Sequence, residues 1–153
     1  MKKIVVLIVC LFALLINKTN AQITIEDGQV APDFANFKGT LLVVVCTAFK
    51  DNTLNDMTEK RFKKHYTGDF EMITEEDLIS KPYSDPKKYR YTVQLQNSRT
   101  VSRGAGGGAA TDATKFVMTD RVTNTKYETK SYSNWVAAMN QYPKALEKVR
   151  SKL

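Results

Sequence analysis

The sequence predicts a single α/β domain with a mixed sheet of about five strands, in the order β-α-β-β-β-β-α, with helices covering it. Three observations carry that prediction. Leu41 to Val45 is an unbroken apolar run with three valines, which suits an inner strand covered on both faces. A helical pattern and then Phe70, Met72 and Ile73 follow it, and strand, crossover helix and strand in that order make a right-handed parallel unit. Further on, Tyr89, Tyr91, Val93 and Leu95 alternate with Arg90, Thr92, Gln94 and Gln96, the pattern of a strand with one dry face and one wet face.

The chain starts with a different kind of segment. Lys2 and Lys3 precede thirteen consecutive apolar residues, Ile4 to Ile16, and Thr19-Asn20-Ala21 then places small residues before Gln22. This is the layout of a secretory signal peptide over residues 1–21, too short to span a bilayer, and it leaves 22–153 as the domain. Val9 before Cys10 is not small, which argues against lipidation of that cysteine. Cleavage after Ala21 removes Lys2, Lys3 and Lys18 and no acid, so the formal charge falls from +7 to +4. An exported, mildly basic domain, periplasmic or extracellular, is a poor candidate for nucleic-acid binding. Cys46 then becomes its one cysteine, so no internal disulfide is expected and packing must hold the core.

Taken in order, the domain opens on residues 22–39. Ile23 and Ile25 suit a short edge strand, Gly28, Pro32 and Gly39 interrupt it, and Phe34 and Phe37 are expected to pack onto the sheet. Leu41 to Val45 is the expected central strand. Asn52 and Thr53 are capping residues for a helix over 54–67, and Gly68 is expected to end it in a left-handed conformation. In that helix Leu54, Met57, Arg61 or Phe62, and His65 or Tyr66 fall on one side, and Lys60, Lys63 and Lys64 on the solvated side. Thr74-Glu75-Glu76-Asp77 resembles a capping box, which predicts a single helical turn through Leu78 and Ile79 before Pro82.

After the 89–96 strand, the run Arg103 to Thr111 is glycine-rich and is expected to contain a flexible loop over 104–111. Lys115 to Val122 resumes a strand with Phe116 and Met118 inward. Thr123-Asn124-Thr125 supplies a turn, and residues 126–132 return as the hairpin partner. Ser133 is the expected cap of a last helix over 134–152, with Trp135, Met139, Leu146 and Val149 as its apolar stripe. Pro143 should kink or restart that helix, because it has no amide hydrogen to donate.

No familiar chemistry is spelled out along this chain. A nucleophile needs a base within reach, yet His65 lies in a lysine-rich helix and Cys46 in the most apolar strand, where a thiol is inert. One histidine and one mature cysteine do not make a structural zinc site. Asp51 to Asp56 lacks a ligand at its third position and a glycine at its sixth, so it reads as helix capping and not as a calcium loop. Gly104 to Gly108 precedes a strand, not a helix, and lacks the Gly-Lys-Ser/Thr ending of a phosphate loop. Glu71, Glu75, Glu76 and Asp77 are acids at a helix start, where the helix dipole favours them without catalysis. No catalytic residue, metal or cofactor follows from these residues.

Two stretches resemble the thioredoxin-like superfamily, especially its exported peroxiredoxin-related and thiol-reductase members. One is Gly28-Gln29-Val30-Ala31-Pro32-Asp33-Phe34 with Gly39 and the valine-rich strand. The other is Lys115 to Asp120, a turn, Lys126-Tyr127 and a last helix. The resemblance implies a degenerate thioredoxin-like fold as an alternative. The family's attacking cysteine would fall near Asp51 and its proline near Ala113, and this sequence has neither. The resemblance therefore implies a redox-inactive relative or a diverged enzyme. The strand–helix–strand opening and later hairpin are also similar to small envelope assembly domains such as the TolB amino-terminal domain.

The function expected is thus an exported, non-catalytic binding domain. Its candidate surface combines Lys60, Lys63 and Lys64 with Tyr83, Lys87, Lys88, Arg90 and Tyr91, since tyrosine and arginine among lysines are typical of recognition surfaces. Such a surface suits an acidic protein, an acidic glycan or an anionic membrane surface, with an affinity that falls as salt rises.

Overall fold

The computed structural model of the chain describes residues 26, 28–45, 53–104 and 107–151. Ile23, Ile25, Cys46, Asp51 and Asn52 lie outside them, as does the whole of the expected signal segment. The expected five-stranded mixed sheet and its element order are present. β1 (Leu41–Val44) pairs in parallel with both β2 (Phe70–Ile73) and β3 (Tyr91–Gly104). β3 pairs antiparallel with β4 (Gly107–Asp120), which pairs antiparallel with β5 (Thr125–Glu128). Helix α1 (Thr53–His65) crosses from β1 to β2, and helix α2 (Trp135–Arg150) follows β5. The spatial order is β2-β1-β3-β4-β5. β1 is therefore an interior strand, as its apolar run requires, but the middle of the sheet is β3.

Strand alternation sorts the side chains onto two faces. Leu41, Val43, Tyr91, Val93, Phe116 and Met118 point to the face that carries both helices, and meet Phe62 of α1 and Met139, Tyr142 and Leu146 of α2. The rings of Phe116 and Tyr142 lie flat against each other, 4.0 Å apart and 1° from parallel. Phe34 and Phe37 pack edge-on against Tyr91 at 5.5 and 4.9 Å, as expected of the segment before β1. Leu42, Val44 and Ile73 point the other way and form a second cluster with Tyr89, half-covered by Leu78 and Tyr83. The second cover is thus the segment between β2 and β3, with its 3-10 helix Glu76–Ile79, and not a helical layer. It suffices because β3 presents only Thr92, Gln94 and Gln96 on that side.

The local signals hold with corrections. Thr74 and Asp77 form the reciprocal cap: Asp77 Oδ2 accepts from the Thr74 amide at 2.8 Å, and Thr74 Oγ1 accepts from the Asp77 amide at 3.3 Å. Asn124, in the turn before β5, takes a left-handed φ of 55° that asparagine tolerates. Gly68 does not have the left-handed conformation expected of it. Its need for glycine is steric, because a Cβ there would stand 2.8 Å from the Tyr66 ring. The buried stripe of α2 is Ala138, Met139, Tyr142, Pro143, Ala145 and Leu146, whereas Trp135 is 38% exposed and lies off it. Pro143 sits within one continuous helix.

The largest correction concerns the glycine-rich run. The ladder between β3 and β4 continues through it, pairing Ser98 with Ala113, Val101 with Ala110, and finally Gly104 with Gly107. Residues expected to form a loop over 104–111 are therefore mostly strand, with only positions 105 and 106 outside the described residues.

The cap of α2 is Asn134, one residue after the serine expected, and its Oδ1 accepts from the Ala137 amide at 3.0 Å. Asn134→Ala should lower stability by about 1 kcal/mol, and Ser133→Ala should leave it nearly unchanged. Urea denaturation of the two variants checks this, through the shift in midpoint at constant slope.

Candidate functional site

Residues expected to form one basic-aromatic surface are dispersed by the fold. Lys60, Lys63 and Lys64 are exposed on α1, and Lys63 bonds Glu59 at 2.7 Å. Tyr83, Lys87 and Lys88 belong to the segment that covers the opposite face of the sheet. The two groups cannot present a single surface. Tyr83 donates its hydroxyl to Glu71 Oε2 at 2.6 Å, and that bond pushes its pKa up to about 12. Lys88 lies 5.0 Å from the centre of the Tyr89 ring.

Tyr91 is a correction to that surface, and Arg90 is committed to two aspartates. Tyr91 is fully buried, because the strand alternation that makes it apolar also turns it into the core. Arg90 holds Asp120 through Nη2 at 2.8 Å and Nε at 3.1 Å, and reaches Asp33 at 3.1 Å. Its guanidinium stands 4.9 Å over the Tyr91 ring. Asp120 is nearly fully buried, and the Arg90 hydrogen bonds hold its carboxyl below the usual range. Its other oxygen accepts from the Val122 amide at 3.0 Å. Beside it, Arg121 donates to the carbonyls of Tyr89 at 2.9 Å and Leu78 at 3.2 Å, which fastens the β2–β3 segment to the end of β4. This constellation is a structural clasp. The lone histidine is no better placed for catalysis: burial first, then Lys144, Lys64 and Arg61, lower the pKa of His65.

At the C-terminal end of β1, where parallel sheets commonly hold ligands, there is a recess of about 10 Å³ beside Val93 and Leu95 near the start of β3. Val43, Leu95 and Phe116 line it, with Asn55 and Thr58 as polar groups. Thr58 already donates to the Leu54 carbonyl at 2.8 Å. A space of this size holds about one water molecule, well short of the several hundred Å³ typical of a small-molecule site.

What the fold does present is the hairpin of β3 and β4. Each strand has fourteen residues, but β1 pairs with β3 only at 92–94 and β5 pairs with β4 only at 117–120. The last tie is at the base, where Thr114 exchanges backbone bonds with Tyr132 at 2.9 and 2.7 Å and donates its hydroxyl to Asn97 at 2.6 Å. Over 99–104 and 107–112 the two strands pair in the ladder only with each other among the described residues. At about 3.4 Å per residue this ribbon extends about 20 Å. The glycine content concealed it in the sequence, and the readable signal was the long stretch without proline or a large apolar residue other than Val101.

No family model matches the chain, and no curated protein matches it. Among solved structures, a PelC variant dodecamer from Paraburkholderia phytofirmans is similar at 12% identity, covering 74% of this chain and 89% of that one, with a TM-score of 0.39. A second PelC dodecamer from the same organism gives 9% identity, 76% and 89% coverage, and a TM-score of 0.38. Scores this low establish no shared fold. Among the described residues, no helix is long and apolar enough to cross a membrane.

The clasp sets a pH dependence. The folded-state pKa of Asp120 is depressed, so its contribution is fully present above the unfolded value of about 3.9 and is lost as pH falls through the folded one. Asp120→Asn should cost about 2 kcal/mol near neutral pH. It should also flatten the loss of stability below about pH 4. Denaturation midpoints measured for both proteins between neutral and acidic pH check the magnitude and the sign.

Proposed function

We propose that this chain is a non-catalytic interaction domain that works outside the cytoplasm and engages protein through the projecting β3–β4 hairpin. The observation that carries this reading is the ribbon itself: paired backbone that extends well beyond the strands flanking it, with two edges that no other described strand continues. An open strand edge carries unpaired amides and carbonyls that another chain can continue. Export is supported by Lys2-Lys3 and the apolar run Ile4–Ile16 ahead of Ala21. The protein recovered from cells should begin at Gln22, which N-terminal sequencing checks. Recovery from the cytosol with Met1 to Ala21 intact would overturn the export proposal.

A second reading, an acidic protein or an anionic surface as partner, is favoured by the exposed positions of Lys60 and Lys64 on one helix. The two readings separate in one experiment. The wild-type chain, a Lys60→Glu/Lys64→Glu variant and a chain with residues 99–112 replaced by an Asn-Gly turn are immobilised and exposed to envelope extract. Loss of partner recovery in the shortened chain alone, at physiological salt, is the expected result. Undiminished recovery by the shortened chain would overturn the hairpin reading. A loss confined to the lysine variant would transfer the site to α1.

A further inference from the structure

We propose that the partner strand at the hairpin is the hairpin of a second copy of this chain, joined head to tail, with the β3 edge of one copy against the β4 edge of the next. This rests on the reading that the hairpin is the interaction surface, and it names the occupant. The molecule guards its other sheet edges: β2 and β5 have only four residues each, and β5 exposes Thr125, Lys126 and Glu128. Short, charged edges resist pairing with other chains. The ribbon is the opposite: over 99–104 and 107–112 no other described strand pairs with it. A two-stranded ribbon is marginal on its own in water, and this one has only Val101 as a large apolar residue. With so little apolar content to bury, the stabilisation open to it is a neighbouring ladder.

Composition and register identify the neighbour. Ten of the fourteen residues in 98–104 and 107–113 are glycine, alanine, serine or threonine, which lets another backbone come close. The charges divide by strand: Arg99 and Arg103 belong to β3, and Asp112 belongs to β4. Position 99 is the register partner of position 112. A copy displaced sideways by one hairpin therefore brings its position 112 alongside position 99 of the first, and the sheet stays antiparallel throughout. Arginine is then flanked by aspartate on both sides. A symmetric β3–β3 pairing would instead bring arginines together, and like charges on facing strands oppose pairing. Contacts of this head-to-tail kind close into a ring if the rotation permits and otherwise extend into a filament.

The test uses the full mature chain, with sedimentation velocity over a range of concentration. Wild type should self-associate. Arg99→Asp and Asp112→Arg should each weaken association about tenfold or more, since each brings like charges together at every interface. Mixed in equal amounts, the two variants should recover assembly with alternating copies, because aspartate at 99 then meets arginine at 112 and the reverse. Thermal unfolding of each variant separates lost assembly from lost folding. A monomeric wild type overturns the inference, as does a chain shortened at 99–112 that assembles like wild type. If the wild type is monomeric yet captures an extract protein through the hairpin, the inference fails and the functional reading survives. If it neither assembles nor captures anything through the hairpin, both fail.

Discussion

The structure depends on a strand that tolerates water on neither side. All four residues of β1 are buried, Leu41 and Leu42 completely, and they alternate between the two faces. Burying each such side chain contributes roughly 1.5–3 kcal/mol, so leaving either face bare would forfeit a large share of a domain's marginal stability. One face is covered by α1 and α2, which also meet each other where Thr58 Oγ1 lies 3.0 Å from Met139 Sδ. The other is covered by a segment without long helices, which must therefore be fastened from outside. Arg121 does this through two carbonyls, and Asp120, next in the chain, is held by Arg90. Arg90, grouped in the sequence with a charged surface, is thus part of the attachment of the second cover.

The same logic accounts for what the sequence shows clearly and what it does not. β1 and the dry face of β3 are legible because hydrophobic periodicity is local and the burial it reports is real. Tyr91 illustrates the risk of reading composition over periodicity. Its place on the dry face excluded it from an exposed surface, and only its proximity in sequence to Lys87, Lys88 and Arg90 suggested one. The hairpin was hidden for a different reason. Glycine and alanine have low strand propensity, and the ladder through Gly104 and Gly107 is a property of the pair, invisible in either strand alone. Gly68 reads in the sequence as a left-handed helix end, whereas the constraint on it is the Tyr66 ring packed over it.

Two parts of the molecule differ in what holds them. The domain body has a layered core, a clasp at the start of β3 and a second tie in which Glu147 accepts from the Thr67 amide at 2.9 Å and hydroxyl at 2.8 Å. Burial alone would raise the Glu147 pKa, but these bonds and Arg150 bring it below the usual carboxylate range. The distal ribbon has its own ladder of backbone bonds. Its free energy therefore depends on what lies along its edges, whereas that of the body does not.

On the reading proposed above, binding and stability are linked at the hairpin. A ligand that binds only the ordered ribbon stabilises it by mass action, in proportion to the logarithm of its concentration over its dissociation constant. The body gains nothing directly, because β1 and β5 pair with the long strands only at 92–94 and 117–120, below the projecting part. The assembly proposed along the ribbon would therefore leave the fold that presents it undisturbed. A strand pair carried clear of the domain body is the feature on which the proposed interaction role rests.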